Sequence, residues 1–176
     1  MTTDFITDRE IYSRVILDVI PRTSKFLWIG TSDIKDLYVE KGRKMVPFLE
    51  TLSDLITRAV SIRMIHAKEP GKAFRKDFDR YPLLAEGIER IVCPRVHFKS
   101  VISDGEIAYT GSANLTGAGM GAKSENRRNF EAGFITDDPT LISSIMAQFD
   151  SIWMGSRCEK CQRKQYCSDY SFLLQD

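Results

Sequence analysis

The pair Asp104-Gly105 stands between two runs that read as strands, Val96-His97-Phe98-Lys99-Ser100-Val101-Ile102-Ser103 and Glu106 to Thr110. Asp-Gly accepts the left-handed backbone of a tight hairpin, so the two runs are expected to lie side by side and antiparallel. Side chains alternate between faces along a strand, which puts His97 and Lys99 on one face. The returning strand ends in Gly111-Ser112-Ala113-Asn114, where Ser112 and Asn114 are again two apart. Neighbouring strands can therefore gather an imidazole, an ammonium, a hydroxyl and a carboxamide into one patch. Such a set suits an anionic oxygen substrate, and phosphate is the obvious candidate.

The remaining pattern alternates helices and strands. Thr7 and Glu10 have capping-box spacing ahead of Ile11, Val15, Ile16 and Val19, which predicts a helix from about Asp8 to Ile20. Phe26 to Ile29, closed by Gly30, reads as a buried strand. Leu49, Leu52, Leu55, Ile56 and Ala59 predict a helix over 46–59, and Val60 to His66 predicts a further strand. Lys68 to Glu89 should hold one or two short helices interrupted by Pro82. Strand signals return at Ile91 to Cys93 and at Phe130 to Thr136. Asp138-Pro139 then opens a helix whose apolar face is Leu141, Ile142, Ile145, Met146, Phe149 and Trp153. The expected fold class is α/β, a mixed sheet flanked by helices, with a catalytic domain over 1–154 and a short cysteine-rich tail over 155–176 packed on it.

The chain has 176 residues, enough for one domain, and its 25 Lys and Arg nearly balance 24 Asp and Glu. That balance is a local cancellation, because residues 61–100 hold nine basic and five acidic side chains. An overall basic nucleic-acid coat is excluded, but a polyanionic substrate at one site is not. No apolar stretch approaches the roughly 18 residues of a membrane span, and MTTDFITDREIYSR has no apolar signal core. The expected compartment is the cytoplasm, with no stable membrane association.

The chemistry suggests roles. A neutral imidazole can attack phosphorus and carry a covalent phosphoryl group, which makes His97 the candidate nucleophile. Lys99, Asn114 and Ser112 can stabilise the charge that builds on the phosphate oxygens. A carboxylate on the other ring nitrogen would fix the tautomer, and Glu131 on the next predicted strand is best placed by sequence order. Asp104 is expected to be mainly a turn residue. Arg127 and Arg128, in the polar loop between Asn114 and Glu131, are either solvated or contacts for flanking phosphates.

His97-Phe98-Lys99, four residues, Asp104, then Gly111-Ser112-Ala113-Asn114 resemble the HxKx4D and GSxN signature of the phospholipase D superfamily. The resemblance implies a metal-independent phosphodiesterase in which His97 forms a phosphohistidine, Lys99 and Asn114 grip the phosphate, Ser112 assists and Glu131 orients His97. It also implies a partner. Members of the superfamily use two such motifs, whereas here His66-Ala67-Lys68 has Ala73 where Asp should stand and no Gly-Ser-x-Asn after it. His66 thus reads as an ordinary strand residue, and the short single-motif nucleases imply a homodimer that pairs His97 with its symmetry mate. The leading expectation is an endonuclease on DNA or RNA. The alternatives are a phospholipase or phosphatidyl transferase, and a nucleic-acid-binding module without catalysis.

Three of four cysteines, Cys158, Cys161 and Cys167, fall within ten residues of a polar tail. In a reducing compartment close thiols suggest metal ligation, with Cys93 as fourth ligand and His66 as runner-up. The spacing resembles the iron–sulfur staple of RecB-type nucleases. A structural [4Fe–4S] cluster is weighed slightly ahead of zinc, and no cofactor is expected for catalysis.

Overall fold

The structure, a computed structural model, describes residues 1–169. After β1 (Thr3–Thr7), a helical run continues unbroken through α1 (Arg9–Ile11), a π-wound stretch (Tyr12–Val19) and α2 (Ile20–Arg22). Then come β2 (Phe26–Thr31), the small hairpin β3 (Tyr38–Lys41) and β4 (Lys44–Pro47), α3 (Phe48–Thr57) and β5 (Ser61–His66). Two short helices, α4 (Lys72–Phe78) and α5 (Leu83–Gly87), lead to β6 (Ile88–Val92). The chain closes with β7 (Lys99–Ser103), β8 (Ile107–Gly111), β9 (Ala132–Thr136) and α6 (Pro139–Trp153).

Seven strands form one mixed sheet in the order β1-β9-β8-β7-β2-β5-β6. The β2, β5 and β6 strands run parallel, and β7 joins β2 antiparallel to start an antiparallel half of four strands. The π-wound run and α3 cover one face, burying Ile11, Tyr12, Val15, Ile16, Leu52 and Leu55 with Leu27, Ile29, Val101 and Tyr109. On the other face α6 sets Ile142 and Phe149 against Ile102, Ala108 and Trp28, with the Trp28 and Phe149 rings stacked at 5.0 Å. Apolar residues at helical spacing on both sides of a sheet give this three-layer arrangement.

The predicted α/β architecture is therefore the one observed, with three local differences. β1 and the β3–β4 hairpin were not expected. Only Ile6 of β1 and Val39 of β3 are buried, so neither strand shows a clean alternation. Thr7 is not a helix cap but the last residue of β1, although its N–H still donates to the Glu10 carboxylate at 3.0 Å as half of a capping box. The strand expected from Val96 begins only at Lys99, because Pro94 and Arg95 form a turn and leave His97 in extended chain before the ladder.

The Asp104-Gly105 turn forms with φ of 57° and 70°, pairing Lys99 with Gly111 and Ser103 with Ile107. The Asp104 carboxylate also accepts hydrogen bonds from the N–H groups of Ser24, Lys25 and Phe26 and from the Ser24 hydroxyl, all at 2.8 to 2.9 Å. It ties the hairpin tip to the entry of β2. Burial alone would raise its pKa, but these donors outweigh it and hold the carboxyl below its ordinary 3.8. A carboxylate with a depressed folded-state pKa stabilises above the unfolded value and loses that contribution as pH falls through the folded one. Asp104→Ala should cost about 2–3 kcal/mol in urea denaturation at neutral pH. Asp104→Asn should flatten the acid limb of the stability profile below pH 3.8 relative to the parent chain. Unchanged stability in both variants would show that the tie is not needed.

Candidate active site

The motif residues meet at one end of the sheet, where β2, β5, β6 and β8 finish and β7 and β9 begin. Ligands in open α/β sheets sit outside the carboxyl ends of the parallel strands, and this edge is that position. Lys99 is the first residue of β7 and only 5% exposed. Its ammonium donates to the His97 carbonyl at 2.6 Å and to His97 Nδ1 at 3.3 Å. Burial lowers the Lys99 pKa, and the nearby Glu131 carboxylate opposes that shift. The His97 ring itself is exposed.

Across the hairpin, Gly111 faces Lys99. A side chain at Gly111 would bring its Cβ within 2.5 Å of the Ala132 carbonyl and the Tyr109 hydroxyl, and 2.7 Å from the Gly133 Cα. Only glycine lets β8 and β9 pack this closely, and the fit delivers Ser112 to Glu131. Ser112 Oγ donates to the Glu131 carboxylate, whose other oxygen accepts from Asn129 Nδ2 at 3.0 Å. The backbone of Glu131 is pinned by Asp8, which accepts its N–H and donates an N–H to its carbonyl, both at 2.9 Å.

Asn114 is clamped from the end of β2. Its Oδ1 accepts from the Ser32 hydroxyl at 2.7 Å, from the N–H groups of Ser32 and Asp33 at 3.2 Å, and from the Thr31 hydroxyl at 3.3 Å. With the oxygen held, the Nδ2 amide is the end left to donate. These anchors were not legible in the sequence, because they join residues more than 80 positions apart. Asp33 binds Lys35 at 2.9 Å and Lys68 at 3.1 Å. Burial would raise the Asp33 pKa, but the two ammonium groups lower it further.

The structure brings His97, Lys99, Ser112, Asn114 and Glu131 to this edge and separates Asp104, at the far end of β7. One role differs from the expected one. Glu131 does not hold His97: its carboxylate takes Ser112 and Asn129, and the partner at His97 Nδ1 is Lys99. Sequence order brought Glu131 to the edge, one residue ahead of β9 rather than within it, but could not say which motif member it would meet. Arg127 is exposed and Arg128 half-buried, on the loop that runs into Glu131. Phe130 was not foreseen as a site residue, yet it is 96% exposed between Asn129 and Glu131. His66 is buried, with Nδ1 2.8 Å from the Lys68 carbonyl, and burial lowers its pKa and keeps it neutral. It is a core residue of β5.

All four cysteines line one cavity on the α6 side, which His97 also borders and to which His66 does not contribute. Of the two candidates for a fourth ligand, Cys93 lines this cavity and His66 does not. As the side chains are oriented, however, no three His, Cys, Asp or Glu groups among the described residues form a ready cage for an ion. Residues 170–176 of the expected tail lie outside the described residues. No helix among the described residues is long and apolar enough to cross a membrane.

A family model described as cardiolipin synthase, PLD-like domain, matches residues 16–153. No curated protein matches the chain. Among solved structures, Nuc from Salmonella typhimurium, a phospholipase D family member, is similar with a TM-score of 0.64 at 18% identity, over 86% of this chain and 93% of that one. NucT from Helicobacter pylori is similar with a TM-score of 0.63 at 14% identity, over 85% and 94%. TrmBL2, an archaeal chromatin protein whose structure shows a novel mode of DNA binding, has a TM-score of 0.58 at 11% identity, over 87% of this chain and 52% of its own. The matched span includes every residue from β2 through α6 and so the whole motif edge, and the chain belongs to the phospholipase D superfamily.

Proposed function

We propose that the chain is an endonuclease that cleaves DNA or RNA phosphodiesters without a catalytic metal, through a phosphohistidine at His97, in a site shared by two copies. The observation that carries this reading is the Lys99 ammonium seated against His97 beside an Asn114 amide clamped by its oxygen. These are a nucleophile and two oriented donors for the non-bridging oxygens of a phosphate. The DNA binding described for TrmBL2 supports a nucleic-acid substrate, as does the exposed Phe130, whose ring offers a stacking face for an unpaired base. Arg127 and Arg128, on the loop that precedes it, are placed for flanking phosphates.

In the proposed dimer the two copies of His97 divide the roles of nucleophile and general acid. An ammonium donating to Nδ1 leaves the neutral imidazole's own proton on Nε2. Attack through Nε2 requires the proton on Nδ1 instead. An incoming phosphate draws Lys99 towards its oxygens, gives up the long 3.3 Å bond, and frees Nδ1 to take the proton. In the first step a P–N bond forms at Nε2 and the P–O bond to the leaving group breaks, with the leaving oxygen taking a proton from the imidazolium form of His97 of the second copy, which is left as a neutral imidazole. In the second step that imidazole takes a proton from water, the water oxygen bonds to phosphorus, and the P–N bond breaks.

His97→Ala should lower cleavage of labelled oligonucleotides in EDTA by roughly 10⁴-fold or more while the oligomeric state is unchanged. Full activity in the purified variant would end the assignment. Lys99→Ala should cost about 10²- to 10³-fold in kcat. When wild-type and His97→Ala chains are co-refolded, activity should fall as the square of the wild-type fraction. A linear fall would mean that each chain carries a complete site. Phe130→Ala should raise KM for single-stranded substrate about 5- to 100-fold with kcat little changed, and an effect confined to phosphatidylcholine hydrolysis would instead favour a lipid enzyme.

A further inference from the structure

Beyond the phosphate site, Cys93, Cys158, Cys161 and Cys167 border a single cavity of about 560 Å³, together with Arg95, His97 and residues of α6. The four come from two distant stretches of chain. Cys93 follows β6 and opens the connection to His97, whereas the other three lie beyond α6 on a segment that includes a short 3-10 helix at Lys164–Tyr166. No disulfide joins them, and each is half-buried.

Hydrophobic packing does not account for the fold of that segment. Among the described residues, none after Trp153 belongs to either apolar core, and Arg157, Glu159, Lys160, Gln162, Arg163 and Lys164 surround the thiols with charge and polarity. What returns the segment to the sheet is polar and sulfur chemistry. The Asp169 carboxylate accepts the Val92 N–H at 2.6 Å, and Cys167 Sγ donates to the Val92 carbonyl at 3.5 Å. Cys161 Sγ accepts the Arg163 N–H at 3.4 Å and stands against the Arg95 guanidinium.

We propose that Cys93, Cys158, Cys161 and Cys167 together ligate a [4Fe–4S] cluster that fastens the C-terminal segment to the loop carrying His97. A single zinc needs its four sulfurs about 2.3 Å from one point, and the described side chains do not converge in that way. They surround a cavity instead, and a cluster holds its thiolates further apart than one ion does. Because Cys93 lies four residues before His97, the centre is structural and borders the active edge. It enters no bond-making step.

The test is the elemental and spectroscopic analysis of full-length protein prepared without oxygen. About four iron and four sulfide per chain, with thiolate-to-iron charge-transfer absorption, are expected. Cys93→Ser and Cys161→Ser should each lose most of the iron, while Lys44→Ser, on the exposed β4 edge, should keep it. His97→Ala should keep its iron and lose cleavage, so that the metal site and the nuclease reading fail separately. If the cysteine variants do not fold, chelated wild-type chain is reloaded with ferrous iron and sulfide, and recovery of the spectrum supports the site. One zinc per chain without sulfide overturns the cluster. Neither metal after anaerobic preparation and reloading, or full iron in both cysteine variants, overturns the proposal.

Discussion

The Asp104 carboxylate is the point from which the arrangement of this molecule follows. It receives three successive N–H groups at the entry of β2 from the tip of the β7–β8 hairpin. β2 is the strand where the parallel half of the sheet meets the antiparallel half, so a tie between its start and the hairpin sets one half against the other. With the turn fixed, the five residues of β7 carry the chain to Lys99 at the opposite edge, level with the end of β2. The four-residue spacing between Lys and Asp in the motif is then the length of a strand, joining a structural anchor at one end of the sheet to the Lys99 ammonium at the other.

At that other end, the electrostatics depend on which charges are already paired. Lys35 and Lys68 both turn to Asp33, so much of their positive charge is neutralised before any substrate arrives. Lys99 is different. Its contacts are to a neutral imidazole and a carbonyl, its ammonium is nearly buried, and desolvation weighs against its charge. A phosphate that reaches it adds to the counter-charge of the nearby Glu131 carboxylate, and an interaction of this kind strengthens as water leaves.

The sheet core and the motif edge were legible in the sequence because both rest on short-range rules. Apolar runs of strand length, helical periodicity in α3 and α6, and the Asp-Gly turn each depend on neighbours a few residues apart. β1 and the β3–β4 hairpin were not legible, since edge strands with one buried side chain leave almost no alternation to read. Within the site, His97, Lys99, Ser112, Asn114 and Glu131 come to one edge as expected, but not all with the expected partners. The clamp on Asn114 and the pairing of Glu131 with Ser112 depend on register across the sheet, and His97 meets Lys99 in the extended chain that the Pro94-Arg95 turn leaves ahead of β7. Residue chemistry is local, whereas hydrogen-bond partners are a product of topology.

A side chain outside the ladder would ordinarily be poorly placed, since extended chain before β7 lacks the support of neighbouring strands. Two contacts compensate. Lys99 holds the His97 carbonyl, and Phe98 packs its ring into the space over Gly30, where a Cβ would come 2.1 Å from it. The backbone on either side of the His97 side chain is thereby fixed while the imidazole stays exposed. That combination suits the role proposed for His97, in which the ring exchanges tautomers and then carries a phosphoryl group. Positional precision comes from the glycine in β2, and freedom of the ring comes from the break in the strand.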